Sequence, residues 1–196
     1  CSSLKKIVIP SSVISIESDA FNSCESLNEV TFENPSKLRF LKLRAFYVCS
    51  SLEEIIIPHS VKSIEKFCFF GCIKLKKISM PSLHSFEENT FDGCLSLESF
   101  IIPYPASMIQ NYAFNKCSAL KQVIIPNSVT SINYCAFNLC TSLIEIIIPN
   151  SVTVIEALAF NGCSSLVKLV VPPSVKEIGK FAFRECSKLN QLSFDA

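Results

Sequence analysis

The sequence has little net charge and no long hydrophobic run. Its 18 basic and 17 acidic residues give a formal net charge of +1, so no global field would attract nucleic acid or an anionic membrane. No apolar run approaches the roughly 18 residues that a membrane-spanning helix needs. Hydrophobic residues still make up 49% of the chain, which excludes a disordered protein. We therefore expect a folded segment that binds no nucleic acid and does not insert into a membrane.

The residue patterns of common catalytic and metal sites are also missing. The sequence has no Gly-rich phosphate loop, no hydrolase elbow and no carboxylate pair. Its cysteines lack the paired C-x-x-C spacing of zinc sites. The two histidines, His59 and His84, have no matched nucleophile or carboxylate near them in the pattern. We predict that the protein is not an enzyme and that it needs no cofactor.

What the sequence does contain is a repeat of about 23 residues, marked by cysteine and by leucine three positions later. The repeated cysteines are Cys1, Cys24, Cys49, Cys72, Cys94, Cys117, Cys140, Cys163 and Cys186. They divide residues 1–196 into one array of eight repeats and a C-terminal partial repeat. Because the chain begins and stops inside the pattern, we expect it to be a fragment of a larger protein.

The repeat from Cys140 to Gly162 illustrates the local structure. A β-branched segment ends at Pro149, which has no N–H to donate to a ladder, so it predicts a short strand that stops there. The apolar pair Val152 and Ile155 predicts a second extended piece on the opposite side of the coil. The Ala-Phe segment that follows predicts a single helical or 3₁₀ turn.

The position before each repeated cysteine is sometimes glycine, as at Gly71, Gly93 and Gly162. Glycine there suits a left-handed turn. Val48 and Lys116 hold the same place in other repeats, so we expect that this conformation is not compulsory.

A single repeat cannot bury enough apolar surface to fold alone, and stacking on its neighbours supplies the missing burial and the ladder hydrogen bonds. The pattern therefore predicts a repeat solenoid. A free sheet edge at either end also predicts end-to-end self-association.

The pattern L-x-x-I-x-I-P-x-S-V-x-x-I-x-x-x-A-F-x-x-C, closely matched from Leu120 to Cys140, resembles the BspA-like leucine-rich repeat family over the whole chain. The resemblance implies a right-handed coil with a parallel β-sheet on its concave face. It also implies a cell-surface or secreted protein of the adhesion type, while a cytoplasmic location stays open. The second and fifth repeats depart from the pattern, with Glu33 in place of proline and with an altered segment at Tyr104–Met108.

The outward-facing strand positions are the best candidates for a function. Four consecutive repeats place aliphatic residues there, and such a row on a soluble protein is commonly a contact surface. The alternative is that β-branched residues simply favour strands on either face. The predicted partner-binding residues on the concave face are Ile56, Ile101, Ile124, Ile144, Glu145, Ile147, Val167, Lys168 and Val170.

The sequence thus predicts a module that binds a protein partner or mediates adhesion through its concave sheet. A structural spacer or intracellular scaffold is the alternative. The row two positions before the outward residues alternates in charge and predicts ion pairing between neighbouring strands.

The cysteines are expected to be reduced. Neighbouring ladder positions lie about 4.8 Å apart, which does not exclude disulfides. However, ladder side chains run side by side and nine ladder cysteines are an odd number. We expect them to act as small buried hydrophobes.

Overall fold

The computed structural model describes residues 1–194 as a β-solenoid of stacked coils. Most coils have a longer strand on a first side and a shorter strand on a second side, and no helix is assigned within residues 1–194. The first-side strands are β1 (Lys6–Ile9), β3 (Glu29–Phe32), β5 (Glu54–Ile56), β7 (Lys77–Ser79), β8 (Ser99–Ile101), β10 (Gln122–Ile124), β13 (Lys168–Val171) and β15 (Gln191–Phe194).

The first-side strands pair in parallel, one repeat apart. They form a four-stranded sheet in the order β1-β3-β5-β7, followed by the pairs β8-β10 and β13-β15. Each strand ends one or two residues before the position of the repeated proline, which has no N–H to donate to the ladder. The solenoid and its parallel first-side strands, both predicted from the repeat, are confirmed.

The second side is built from two-residue strands. These are β2 (Ser15–Ile16), β4 (Phe40–Leu41), β6 (Ser63–Ile64), β9 (Met108–Ile109), β11 (Ser131–Ile132), β12 (Val154–Ile155) and β14 (Glu177–Ile178). They form two parallel sheets, β2-β4-β6 and β9-β11-β12-β14. In the strands up to β12 the second residue is buried, as Ile132 and Ile155 are. This confirms the second extended piece that the apolar pairs predict.

The repeat from Cys140 to Gly162 differs from its neighbours on the first side. It contributes no assigned strand there, and only Glu145 forms an isolated parallel bridge, to Lys168. Its core residues nevertheless hold their places, because Ile146 and Ile148 are buried. The segment therefore packs like a strand without completing the ladder.

The core is a column of stacked side chains that repeats with the coil. One phenylalanine per coil stacks on the next, with ring centroids 5.2–5.8 Å apart and interplanar angles of at most 12°. The stacked rings are Phe21, Phe46, Phe69, Phe91, Phe114, Phe137, Phe160 and Phe183. The repeated leucines from Leu27 to Leu166 are fully buried beside them.

The Ala-Phe segment is not a helical turn, so that prediction was wrong. Alternate amides close tight turns within the coil, as Asn115 N–H does by donating to the Tyr112 carbonyl at 3.2 Å. The amides between them point to the next coil, as Phe114 N–H does by donating to Ala136 at 2.8 Å. The amides that donate to the next coil form a third ladder of hydrogen bonds between coils, beside the ladders of the two strand sides. A helical turn would use these amides within the coil.

The left-handed conformation before each repeated cysteine is present in all eight repeats, so the expectation that it is optional was wrong. Its φ angle lies between 53° and 74° at Ser23, Val48, Gly71, Gly93, Lys116, Leu139, Gly162 and Glu185. The cause is the third ladder. In seven of these residues, from Ser23 to Gly162, the N–H donates to a carbonyl of the next coil at 2.7–2.8 Å. The backbone therefore adopts the left-handed conformation whichever side chain is present.

Candidate functional site

A row of aliphatic side chains stands exposed on the first side of the solenoid. Ile101, Ile124 and Ile147 have exposed fractions of 68%, 51% and 74%. Ile101 and Ile124 are direct register partners on β8 and β10. Ile144 and Val167, which are also exposed, widen the row. We call these five residues the aliphatic stripe.

The other predicted partner-binding residues lie around this stripe. Glu145 and Lys168 are exposed and joined by the isolated bridge. Ile56 is exposed but stands apart, because Ser79 occupies the strand between Ile56 and Ile101. Val170 was expected to be exposed but is half-buried, so it adds less apolar surface than predicted.

Ion pairs between coils occupy the neighbouring positions on the first side. Lys6 and Glu29 are paired as the charge alternation predicts, with Nζ to Oε2 at 2.6 Å. Two more pairs lie one position earlier in the repeat, Glu53 with Lys76 at 2.9 Å and Glu98 with Lys121 at 3.7 Å. The next residues in that row are Ile144 and Val167. The aliphatic stripe thus broadens where the paired charges of this row stop.

Two open cavities lie over the first-side strands before the stripe. One of about 630 Å³ is lined by Ser79, Ile101 and Ile124 among others, so it extends to the stripe. The other, of about 840 Å³, lies over β3 and β5, and residues 33–36 form part of its lining. The sequence reading missed both. The available signal was the small side chains of Thr31 and Ser79, which interrupt a row that is otherwise mostly Ile or Val.

The repeated cysteines form a column of unreactive thiols along the solenoid. All eleven cysteines are free thiols, as predicted. From Cys49 to Cys186, each repeated cysteine donates its S–H to the phenylalanine carbonyl of the preceding coil at 3.2 Å. Burial raises the pKa of the thiols of Cys72, Cys94, Cys117 and Cys140 well above the ordinary value. Such thiols are poor nucleophiles and poor metal ligands.

A second polar column, which the sequence reading missed, runs two positions before the cysteines. Asn161 donates its side-chain amide to Asn138, and Asn138 donates to Asn115, each at 2.7 Å. Asn115 in turn donates to the buried carboxylate of Asp92 at 2.9 Å. The signal was available, because four consecutive repeats carry Asp or Asn at this position. The column ties adjacent coils together and presents no open face to a ligand.

The remaining polar groups assemble no catalytic or metal centre in the described part of the chain. His59 Nδ1 lies 2.9 Å from Ser82 Oγ, and His84 is exposed. Residues 1–194 contain no group of three His, Cys, Asp or Glu side chains arranged to hold a metal ion. No helix within the same residues is long and apolar enough to cross a membrane.

Stacked, leucine-bearing coils joined by parallel strands define a repeat protein of the leucine-rich class. The chain belongs to the BspA-type leucine-rich repeat family. The family model, described as BspA type Leucine rich repeat region, matches in six copies over residues 1–120 and 107–196. The family resemblance seen in the repeat pattern is therefore confirmed.

Solved structures of bacterial leucine-rich repeat proteins share the fold. A leucine-rich repeat protein of T. pallidum is 29% identical with a TM-score of 0.76, over 82% of this chain and 77% of that one. A leucine-rich repeat protein of Bacteroides ovatus is 30% identical with a TM-score of 0.59, over 96% of this chain and 60% of that one.

The pneumococcal vaccine antigen PcpA is 28% identical, with a TM-score of 0.63 over 97% of this chain. This chain spans 51% of PcpA and 60% of the B. ovatus protein. No functionally curated protein matches the chain.

Proposed function

We propose that this array is a protein-interaction module of the adhesion type, which binds a protein partner through the aliphatic stripe. The observation that carries the proposal is the exposure of Ile101, Ile124 and Ile147, each more than half exposed, in three successive coils. Their positions do not need to be apolar for the coil to form, because the buried residues of the same segments already fill the core.

The composition of this surface favours a partner of defined chemistry. Apolar side chains at its centre would be desolvated on binding, which is where interfaces gain most of their free energy. Glu145 directly follows Ile144 and Lys168 directly follows Val167, and both charged side chains are exposed, so they supply polar contacts next to the apolar ones. A partner with an apolar patch bordered by complementary charges fits this arrangement.

The surface location of the protein is part of the same proposal. BspA-type repeats are typical of surface proteins and of proteins that bind other proteins, and one similar structure is described as a vaccine antigen. We expect the parent protein to be displayed at the cell surface or secreted. Protease accessibility on intact cells, with a cytoplasmic marker as control, tests this location.

The double substitution Ile124→Lys with Ile147→Lys tests the binding role. Both side chains are exposed, so the variant should keep the far-ultraviolet circular dichroism and the unfolding midpoint of the parent array. It should no longer retain the proteins that the intact array captures in a pull-down. Val8→Lys with Ile14→Lys is the matched control, since Val8 and Ile14 are 60% and 57% exposed but lie far along the chain from the stripe.

The control variant should retain the same proteins as the parent array. If the stripe variant retains them as well, the stripe is not the binding surface. Such a result would favour a spacer or scaffold role, in which the solenoid only holds other domains apart.

A further inference from the structure

The cavity of about 840 Å³ over β3 and β5 has an apolar floor and an acidic rim. Val30 and Ile55 are buried beneath it, and the partly buried Phe32 packs against the same core. Glu29 and Glu54 rise from the same two strands as exposed side chains. We call this cavity the acidic cleft.

One wall of the acidic cleft comes from the departure of the second repeat from the common pattern. Glu33 stands where other repeats have proline, and this repeat is two residues longer than most. The segment 33–36 lines the cleft together with Pro58 and His59. Glu33 is fixed there, because its Oε2 accepts a hydrogen bond from Ser11 N–H at 2.9 Å. The irregular repeat therefore builds a feature that a regular coil would lack.

The charge of the lining is one-sided. It includes four glutamates, no lysine and no arginine. The glutamates are Glu29, Glu33, Glu53 and Glu54. Glu29 is balanced by Lys6 and Glu53 by Lys76, but no ion pair to Glu54 occurs within residues 1–194.

Glu54 is also placed directly against a like charge. It is the register partner of Glu29 on one neighbouring strand, and like charges in that relation destabilise a sheet. Its register partner on the other side is Lys77, but the two side chains form no ion pair within residues 1–194. A cation bound between the two carboxylates would relieve this repulsion. The apolar floor beneath them would accept the methylene stem of the side chain that carries the cation.

We propose that the acidic cleft receives an arginine or lysine side chain of the protein partner, with Glu54 as the carboxylate that pairs with it. This inference rests on the proposed protein-binding function and adds a second, electrostatic contact ahead of the aliphatic stripe. The cleft and the stripe lie on the same side of the solenoid, so one extended partner segment can engage both.

A short peptide tests the cleft without the natural partner. The probe is the acetylated and amidated pentapeptide Ala-Arg-Leu-Arg-Ala, titrated into ¹⁵N-labelled array at low ionic strength. The amide resonances of Thr31, Ile55 and His59 should shift on titration, and added salt should weaken the binding because it screens exposed charges. The same peptide with glutamine in place of both arginines should bind several-fold more weakly.

Substitution at position 54 identifies the pairing carboxylate. Glu54→Gln should weaken binding of the arginine peptide about two- to five-fold, which corresponds to one exposed ion pair. Glu54→Lys should abolish measurable binding. A lysine there attracts Glu29 and repels Lys77, its other register partner, so the two changes offset each other and circular dichroism should show that the fold is retained. Glu177→Gln is the control, since Glu177 is an exposed glutamate on the second side.

Equal binding of the arginine and glutamine peptides would overturn the proposal, and so would undiminished binding by Glu54→Lys. No binding, or shifts confined to Ile124 and Ile147, would overturn it as well. None of these outcomes alters the pull-down comparison that tests the aliphatic stripe, so failure of the cleft and failure of the stripe can be told apart.

Discussion

The thiol of Cys117 donates a hydrogen bond to the carbonyl oxygen of Phe91 in the preceding coil, with Sγ 3.2 Å from the oxygen. The same carbonyl accepts the N–H of Cys94 at 3.1 Å. The cysteine is therefore more than a small hydrophobe, because it links two coils through a donor that alanine lacks.

Cys117→Ala should lower the free energy of unfolding by about 1–2 kcal/mol, because it removes a buried hydrogen bond and leaves a small void. Urea denaturation followed by circular dichroism measures the change. Cys1→Ala is the matched control, since Cys1 is exposed and should change stability by less than about 0.5 kcal/mol. Equal losses in the two variants would mean that the column contributes no stability.

The buried thiols should also resist chemical modification in the folded protein. Because burial raises the pKa of Cys94, Cys117 and Cys140, almost no thiolate is present at pH 8, and the thiolate is the reactive form. A thiol reagent should label the exposed Cys1 rapidly and Cys186, which is half-buried, more slowly. The rest should react only in denaturant, to a total of eleven thiols. A total well below eleven would reveal disulfides.

The fold could be predicted from the sequence because the residues that repeat are the ones that pack the core. Leucine, phenylalanine and the alternating β-branched residues recur with the coil, and inside the array most of them are buried where the period places them, as Leu143 and Phe160 are. The exposed stripe followed from the same alternation. Its exposure was therefore predictable, whereas its partner was not, because the fold leaves the identity of Ile147 unconstrained.

The third ladder was not predictable from side-chain type. Its amides are divided between the turn and the next coil by backbone geometry, and residues as different as Val48, Gly93 and Lys116 adopt the same left-handed conformation. The two cavities over the first-side strands were not predictable for a related reason. They occur where a small residue or an insertion interrupts the repeat, and the repeat pattern describes only the regular positions.

Lys116→Gly should stabilise the array by about 0.5–1 kcal/mol. A side chain at φ near +60° costs about 1–2 kcal/mol, and glycine removes this cost while losing about 0.4–1 kcal/mol through the freedom of the unfolded chain. Lys116→Ala is the control, because it removes the charge but keeps the Cβ atom. A glycine variant no more stable than the alanine variant in urea denaturation would contradict the argument.

Asp92→Asn should stabilise the array at neutral pH and not in acid. Burial raises the pKa of the Asp92 carboxyl above its ordinary value, against the opposing effect of hydrogen bonds from Asn89 and Asn115. A carboxyl whose pKa is raised in the folded state favours folding below the unfolded pKa of about 3.9. That contribution is lost as the pH rises through the folded pKa, and at pH 7 a buried carboxylate remains.

The new amide can still accept from Asn115, and rotation of the Asn89 amide restores the second hydrogen bond. Asp92→Asn should therefore raise the free energy of unfolding by about 1 kcal/mol at pH 7, with little difference from the parent array at pH 3.5. Glu25→Gln at an exposed carboxylate controls for the change in net charge. Thermal or urea unfolding at both pH values measures the difference. A gain of equal size at pH 3.5 would show that side-chain packing, and not the buried charge, reduces stability at this position of the second polar column.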